Sequence, residues 1–179
     1  MKGIQREILE WVISLAAAAV IAFIINIFGG LAIVEGSSML PTLSDSDFLI
    51  RARYIGTEPM QGDIIAFNTE TPHPWKLYRM FGAKKALVKR VIGVPGDKVV
   101  VLNTAVYVND QELEERYIYD GTTSGKVDVI VPEGCLFVMG DNRQNSNDSR
   151  GSVGFVSKED IIGRVFFRIF PFGDIGTVK

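Results

Sequence analysis

The chain has 179 residues, which is enough for one domain and one additional element. It carries 19 Lys and Arg and 21 Asp and Glu residues without a long basic run, so its charge gives no indication of nucleic-acid binding. Cys135 is the only cysteine and His73 the only histidine. No intrachain disulfide can therefore form, few zinc ligands are present, and we expect neither a metal nor a cofactor.

The first predicted element is a long apolar helix. Residues 11–28 contain no charge, no proline and no glycine. At about 1.5 Å per residue, a helix of this length reaches across a hydrocarbon core of roughly 30 Å. Because apolar residues occur all around it, we predict a transmembrane helix over residues 11–30 rather than an interfacial one. A cleaved signal peptide is the alternative, although its apolar core is usually shorter.

Basic residues indicate the orientation of this helix. Lys2 and Arg6 precede it, and the next basic residue is Arg51. The positive-inside rule then predicts a single-pass protein of the cell membrane, with residues 1–10 in the cytoplasm and residues 31–179 outside it.

Beyond the helix, short runs of β-forming residues alternate with turn signals. The predicted strands cover residues 48–54, 63–67, 86–94, 98–102, 105–108, 126–131, 135–140 and 163–170. Residues 69–85 read as a loop, and residues 157–162 as a helical turn capped by Ser157. The pattern is typical of a single all-β domain, either a barrel or a sandwich, so the fold class is mainly β with one N-terminal transmembrane helix.

A serine follows the apolar segment in the stretch EGSSMLPTL, residues 35–43. If this stretch were an extended strand, Val34, Gly36 and Ser38 would share one face. A hydroxyl on an apolar face needs a partner or a function. It either bonds to the backbone at the Pro41 turn or acts as a nucleophile.

A lysine occupies an unusual position in the predicted strand ALVKRVIGV. Alternation places Lys89 with Leu87 on one face, and Val88 with Arg90 on the other. An ordinary lysine has a pKa near 10.4, so only about one in 2,500 is neutral at pH 7. Burial lowers this pKa and makes a lysine usable as a general base. The alternative is an edge-strand lysine that extends its ammonium to water.

A third stretch, GDNRQNSNDSR, is dense in polar and turn-forming residues and follows an apolar strand. It is either a solvated loop or part of a site. A Ser-His-Asp triad would require His73, which stands alone between two prolines, and the pattern Gly-x-Ser-x-Gly is absent around Ser38 because position 40 is leucine. A serine partnered by lysine remains.

Four stretches, GSSMLPTL, GDIIAF, VKRVIGVPGD and GDNRQNSNDSR, occur in this order behind the apolar segment. Together they resemble the type I signal peptidases, in the short single-anchor form of Gram-positive bacteria. The resemblance implies a mostly β fold and a membrane-anchored serine endopeptidase with a Ser/Lys dyad. It also implies that the enzyme removes signal peptides from preproteins after small residues at −3 and −1. We expect a monomer that contacts membrane lipid, binds no nucleic acid and needs no cofactor.

The resemblance also implies roles for individual residues. Ser38 matches the nucleophile, Lys89 the general base, and Ser146 a hydroxyl that orients the lysine ammonium. The remaining matches are a supporting ion pair and the walls of shallow substrate pockets, namely Asp148 with Arg150, and Val34, Leu43, Leu87 and Val88.

One position departs from the pattern of some relatives, which have a serine two residues before the nucleophile whose hydroxyl helps to bind the oxyanion. Here that position is Gly36. The Ser38 N–H would supply one donor, and the second would be either the Gly36 backbone or water.

Two rival functions remain open. A self-cleaving Ser/Lys peptidase of the LexA-like kind shares the chemistry, but those proteins are cytosolic, which disagrees with the apolar segment. A membrane-tethered binding module or inactive relative would need neither Ser38 nor Lys89, and both are present. In the predicted loop, Trp75, Met80 and Phe81 are candidates either for lipid contact or for packing against the domain.

Overall fold

The structure is a computed structural model that describes residues 2–72, 76, 80, 84–102, 104–119 and 121–178. The chain divides into two units, Met1–Gly30 and Leu31–Lys179. The first unit is mainly helix, and the second contains nearly all of the β structure.

Helix α1 extends over Lys2–Phe28 and so begins at Lys2 rather than at residue 11. Its first turns are polar, and Arg6 Nε donates to Glu10 Oε1 at 3.0 Å, one turn further along. Such a pair at a spacing of four residues supports a helix beyond its apolar part. The segment of the chain that the structure describes contains no helix that is both long enough and apolar enough to cross a membrane.

The second unit is built from short strands, which confirms the prediction of a mainly β domain. The strands within the described residues are β1 (Gly29–Ile33), β2 (Phe48–Ala52), β3 (Ile64–Pro72), β4 (Lys84–Gly93), β5 (Lys98–Leu102), β6 (Ala105–Val108), β7 (Gln111–Glu112), β8 (Val127–Ile130), β9 (Cys135–Met139), β10 (Val156–Ser157), β11 (Ile161–Phe170) and β12 (Gly176–Thr177).

Most predicted strands occur, with shifted ends. Strands β5 and β6 have the predicted bounds, and the predicted helical turn is a 3-10 helix, Lys158–Asp160, whose Ser157 cap accepts from the Glu159 N–H. The predicted loop 69–85 is wrong at its ends, because β3 and β4 remain paired as far as Pro72 opposite Lys84. Strands β7, β10 and β12 were not predicted, since two residues show no alternation. Strand β1 was not predicted either, and the predicted helix over residues 11–30 is wrong at its end, because the chain is already a strand from Gly29.

The strands form two sheets. The larger has the order β1-β2-β11-β3-β4-β9-β10, with β12 paired to β11, and the smaller has the order β7-β6-β5-β8. Strand β4 is therefore an inner strand, hydrogen-bonded to β3 on one side and to β9 on the other. This inner position decides the environment of every side chain on β4.

The faces of β4 follow the predicted alternation. Leu87 packs against one apolar cluster, which contains Phe67 and Val91. Val88 packs against another, which contains Leu43. A third cluster fills the space between the smaller sheet and β9, and the half-buried Cys135 packs against it. The chain thus carries Lys89 into the interior between two apolar clusters.

Candidate active site

Ser38 lies on a turn, and the predicted strand through residues 34–38 is wrong. Strand β1 ends at Ile33, and Gly36 has φ of +84°, a left-handed conformation that glycine adopts without steric cost. The turn is closed by the Val34 N–H, which donates to the Asp47 carbonyl at 3.0 Å. This turn, rather than strand alternation, presents the Ser38 hydroxyl.

The side chains of Ser38 and Lys89 meet. Lys89 Nζ lies 2.6 Å from Ser38 Oγ and 3.2 Å from the Val88 carbonyl oxygen. Lys89 stands opposite Ile65 on β3, and only 2% of its surface is exposed. An edge-strand lysine that reaches water, the alternative drawn from the sequence, is therefore wrong.

Burial changes the acid–base behaviour of Lys89. Removal from water lowers the pKa of Lys89 from 10.5 to about 8, while the carboxylates of Asp148 and Asp141 raise it and Lys85 lowers it further. With a pKa of about 8, about one amine in ten is neutral at pH 7. A neutral amine at hydrogen-bond distance from a hydroxyl can take up its proton.

Asp148 and Arg150 form a buried ion pair close to this amine. Arg150 donates from Nε to Asp148 Oδ1 at 2.9 Å and from Nη2 to Oδ2 at 2.8 Å. Burial alone would raise the pKa of Asp148, but the Arg150 guanidinium and the Gly140 N–H hold it below its ordinary value. The carboxylate thus remains charged, and its interactions secure the loop that follows β9.

Ser146 lies in the same loop, but it is not hydrogen-bonded to Lys89. Its Oγ is buried, and the described residues supply no hydrogen bond of normal geometry to it. The hydroxyl is close enough to Asp148 to help lower the pKa of that carboxyl, although the contact falls short of hydrogen-bond geometry. The role implied for Ser146 stays a prediction.

Two asparagines of the loop hold the serine turn, and the sequence did not single them out. Asn142 donates from its backbone N–H to the Ser38 carbonyl at 3.0 Å and from Nδ2 to the Ser37 carbonyl at 3.1 Å. Asn145 Nδ2 donates to Ser37 Oγ at 2.8 Å. The density of asparagine in this stretch was the only signal, and it did not show which backbone groups the amides would meet.

A second ion pair joins the base-bearing strand to the same loop. Arg90, next to Lys89, donates from Nε and Nη2 to the two oxygens of Asp141 at 2.8 and 2.7 Å. The Arg90 guanidinium carbon also lies 3.9 Å from the centre of the Tyr117 ring. Both charged groups are nearly inaccessible to water, so this bidentate pair keeps β4 and the loop in register. No sequence signal pointed to Tyr117.

Residues on either side of Tyr117 make a second set of contacts with the same loop, through Arg143. Arg143 donates from Nη1 to Glu115 Oε2 and to Thr123 Oγ1, each at 2.7 Å, and from Nη2 to the other Glu115 oxygen. Its Nε donates to the Gly140 carbonyl at 2.9 Å. These buried contacts leave the loop little freedom to move away from Ser38.

Ser38 and Lys89 stand where two depressions meet. One is a small hollow of about 20 Å³, which Val34, Leu87 and Val88 help to line. The other is a cleft of about 440 Å³, bounded by β3, β4 and the segment around Val153. Three of the four predicted pocket walls thus line the hollow. Leu43 does not, because it is completely buried in the core.

Of the two backbone donors expected for the oxyanion, only one is open. The Gly36 N–H, one of the two expected sources of a second oxyanion donor, donates to Asp45 Oδ1 at 2.6 Å. Within the described residues, the Ser38 N–H makes no hydrogen bond. The Ser38 N–H is therefore open to a ligand, whereas the Gly36 N–H is engaged.

Two predictions concern residues outside the described part of the chain. His73, the candidate for a rival triad, lies outside the described residues, as do Trp75 and Phe81. Met80 is 73% exposed.

The arrangement suits acyl transfer, since a serine hydroxyl, a buried amine of lowered pKa and an open backbone N–H converge beside a cleft. Residues 8–170 match the family model described as signal peptidase, peptidase S26. Signal peptidase I U of Bacillus subtilis is 37% identical over 180 residues, covering 94% of this chain and 90% of that protein. Probable signal peptidase I-1 of Synechocystis is 42% identical over 151 residues, covering 80% and 74%. The chain belongs to the signal peptidase family, peptidase S26.

A solved structure is also similar in part. A signal peptidase I from Enterococcus faecalis matches 60% of this chain and 97% of its own, with 29% identity and a TM-score of 0.47.

Proposed function

We propose that this protein is a membrane-anchored serine endopeptidase that removes signal peptides from preproteins, with Ser38 as nucleophile and Lys89 as general base. The observation that carries the proposal is the 2.6 Å contact between Lys89 Nζ and Ser38 Oγ, made by an amine whose pKa is lowered to about 8. Membership of the signal peptidase family supports the substrate class.

Acylation begins with proton transfer from Ser38 Oγ to the neutral amine of Lys89. The oxygen forms a bond to the scissile carbonyl carbon, and the carbonyl electron pair becomes an oxyanion opposite the Ser38 N–H. When this intermediate collapses, the C–N bond breaks, and the leaving nitrogen takes the proton from the Lys89 ammonium. The mature protein departs as a free amine, and the signal peptide remains as an ester of Ser38.

Deacylation uses the same base a second time. Lys89 takes a proton from a water molecule, whose oxygen attacks the ester carbon. The second tetrahedral intermediate breaks its bond to Ser38 Oγ, which recovers a proton from the lysine. The signal peptide leaves as a carboxylate, and the enzyme returns to its starting state.

The two depressions divide the substrate at the scissile bond. The chain before this bond extends by strand addition beside the first half of β4, which is paired with β3 but, among the described residues, has a free edge on its other side, because β9 pairs only with residues 90–93. Its small side chains at −1 and −3 enter the hollow lined by Val34, Leu87 and Val88. A hollow of about 20 Å³ has room for side chains such as alanine but not for large ones. The wider cleft accommodates the chain that follows the bond.

The anchoring part of the proposal rests on the uncharged run of residues 11–28 and on the basic residues before it. The N-terminus lies in the cytoplasm and the catalytic domain outside. Enzyme and preprotein then share one bilayer, which raises their effective concentration. The protein acts as a monomer and contacts lipid.

The test is cleavage of a preprotein with an Ala-x-Ala site by the detergent-solubilised full chain, followed by mass spectrometry of the products. The wild type is compared with Ser38→Ala, Lys89→Met and His73→Ala. We expect cleavage after the second alanine, loss of activity in the first two variants with retained folding, and full activity in the third. An inactive His73→Ala variant would show that the base is wrongly assigned.

The rival functions have their own outcomes. Fragments formed when the purified protein is incubated alone would indicate self-cleavage. A wild type that neither cleaves the preprotein nor reacts with a serine-acylating inhibitor would be a binding module.

A further inference from the structure

The Leu40 N–H, at 3.2 Å, and the side chain of Asn142 both donate to the carbonyl of the peptide bond between Ser37 and Ser38. This bond is trans, so the Ser37 carbonyl and the Ser38 N–H point in opposite directions from one rigid plane. Asn142 Nδ2 donates to that carbonyl at 3.1 Å. A hydrogen bond to the carbonyl end of the plane therefore also sets the direction of its N–H end.

The next carbonyl is held by the same residue, because the Asn142 backbone N–H donates to the Ser38 oxygen at 3.0 Å. Asn142 is only 8% exposed, and its neighbour Arg143, 1% exposed, is bonded to the Gly140 carbonyl and to Glu115. The amide of Asn142 thus acts from a rigid support. Asn142 therefore bonds to two consecutive carbonyls, those of Ser37 and Ser38, which lie on either side of the Ser38 N–H.

The direction of the Ser38 N–H matters more in this chain than it would with a second donor beside it. Position 36 carries no hydroxyl because it is glycine, and the Gly36 N–H donates to Asp45. The N–H of the nucleophile Ser38 itself donates to none of the described residues and is open. Donors that point in advance at the position of a developing oxyanion are among the largest contributions to acyl-transfer catalysis.

We infer that the Asn142 side chain is a positioning residue of the oxyanion site, which orients the Ser38 N–H through the Ser37 carbonyl. The inference rests on the proposed function, because it concerns the transition state of the reaction at Ser38. Asn142 touches neither substrate nor reacting atoms. Its loss would leave the Ser37 carbonyl with only the 3.2 Å bond from Leu40, which belongs to the same turn, so the peptide plane could rotate while the pair of Ser38 and Lys89 stays in place.

The inference is tested with Asn142→Ala and with Asn142→Asp, which has nearly the same size but presents a carboxylate oxygen to the Ser37 carbonyl. Gln144→Ala is the matched control, because Gln144 lies in the short 3-10 helix Arg143–Asn145, which begins directly after Asn142, and its amide donates to Thr122 instead. Kinetics are measured with the Ala-x-Ala substrate in detergent, and thermal unfolding is recorded for each variant.

Both Asn142 variants are expected to lose about 10- to 100-fold in kcat, below the full loss of an oxyanion donor, with KM changed less than about twofold. A peptide aldehyde, which forms a tetrahedral adduct with the serine oxygen, should bind more weakly by the same factor. In Asn142→Ala, the pH at which kcat/KM reaches half its maximum should not move, because the contacts of Lys89 are unchanged. Asn142→Asp is left out of this comparison, because its new carboxylate would itself raise the pKa of Lys89. Gln144→Ala should behave as the wild type.

Three results would overturn the inference. They are unchanged kcat in a folded Asn142 variant, loss of kcat without weaker aldehyde binding, and a shifted pH profile in Asn142→Ala, which would mean that Asn142 acts through Lys89. If Asn142→Ala does not fold, the size-matched Asn142→Asp decides. A wild type that cleaves nothing would instead refute the proposed function itself, so the two failures are distinguishable.

Discussion

Gly140 lies so close to Ser38 that a Cβ atom at position 140 would be 2.4 Å from the Ser38 carbonyl oxygen. The same atom would lie 2.3 Å from Ser146 Oγ. The φ angle of Gly140 is not in the left-handed region, so glycine is required here for space and not for backbone conformation. The absence of a side chain lets the loop after β9 press directly against the nucleophile turn.

Gly140→Ala is therefore expected to displace Ser38 and to reduce kcat/KM at least 100-fold, since a misplacement of about 1 Å can cost that much. The free energy of unfolding should fall by roughly 1–3 kcal/mol, as in other overpacked sites. Gly173→Ala is the control, because no atom lies within 4 Å of its added Cβ. Wild-type activity in Gly140→Ala would mean that the turn and the loop can separate without loss.

The pKa of Lys89 predicts how cleavage depends on pH. The base must be neutral, and its pKa is about 8, so kcat/KM should rise about tenfold per pH unit below pH 8 and level off above it. Initial rates measured from pH 5 to 10 in one detergent would show this rise of kcat/KM with pH, the acidic limb of the profile. A profile that is flat between pH 6 and 9 would contradict the assignment of Lys89 as the base.

The charge of Lys85 provides a second test of how the acidic limb of the kcat/KM profile depends on the pKa of Lys89. Lys85 lowers the pKa of Lys89, so Lys85→Met should raise that pKa and move the limb to higher pH. Lys126→Met is the control, because Lys126 is exposed and does not contribute to the shift. If both substitutions moved the acidic limb of the pH profile equally, the shift would be an effect of net charge alone.

Lys89 is expected to destabilise the fold that contains it. Its pKa in the folded chain, about 8, lies below its ordinary 10.5, so the folded state binds fewer protons between these values. The cost is fully present below pH 8 and disappears as the pH rises to 10.5. Lys89→Met should therefore be inactive but about 1–3 kcal/mol more stable at pH 7.

This gain should shrink when thermal or denaturant unfolding is repeated towards pH 10.5. The nearby carboxylates do not reverse the sign, because Asp141 retains Arg90 and Asp148 retains Arg150 as partners. A Lys89→Met variant that is less stable at pH 7 than the wild type would show that the folded state stabilises the charged lysine and does not lower its pKa.

The hollow predicts the choice of side chains before the scissile bond. Val88 lines it, so Val88→Ala should admit larger residues at −1 or −3 and raise kcat/KM for leucine relative to alanine about tenfold. Leu43→Ala is the contrasting variant, because Leu43 is completely buried and does not line the hollow. It should lower stability by about 2–5 kcal/mol without changing this ratio. If Leu43→Ala changed the ratio of kcat/KM for leucine to that for alanine, Leu43 would belong to the pocket wall.

Local patterns in the sequence predicted much of the fold. Residues 98–102 and 105–108 are short runs rich in valine that flank the turn residues Asn103 and Thr104, so both strands have the predicted ends. The long loop was predicted from its prolines, yet pairing between β3 and β4 carries the strands into it. Extended alternation also failed through Ser38, because Gly36 adopts a left-handed conformation and begins a turn.

The sequence by itself determined which residue types were available for chemistry: one histidine, a pair of serines behind an apolar segment, and a lysine in a predominantly apolar strand. These are local properties, readable from spacing and composition. Only the tertiary structure decided that Lys89 reaches Ser38, because contact between residues 51 positions apart depends on sheet order and not on spacing. The inner position of β4 also decided the burial that lowers the lysine pKa, and the loop after β9 decided which amide holds the Ser38 peptide group.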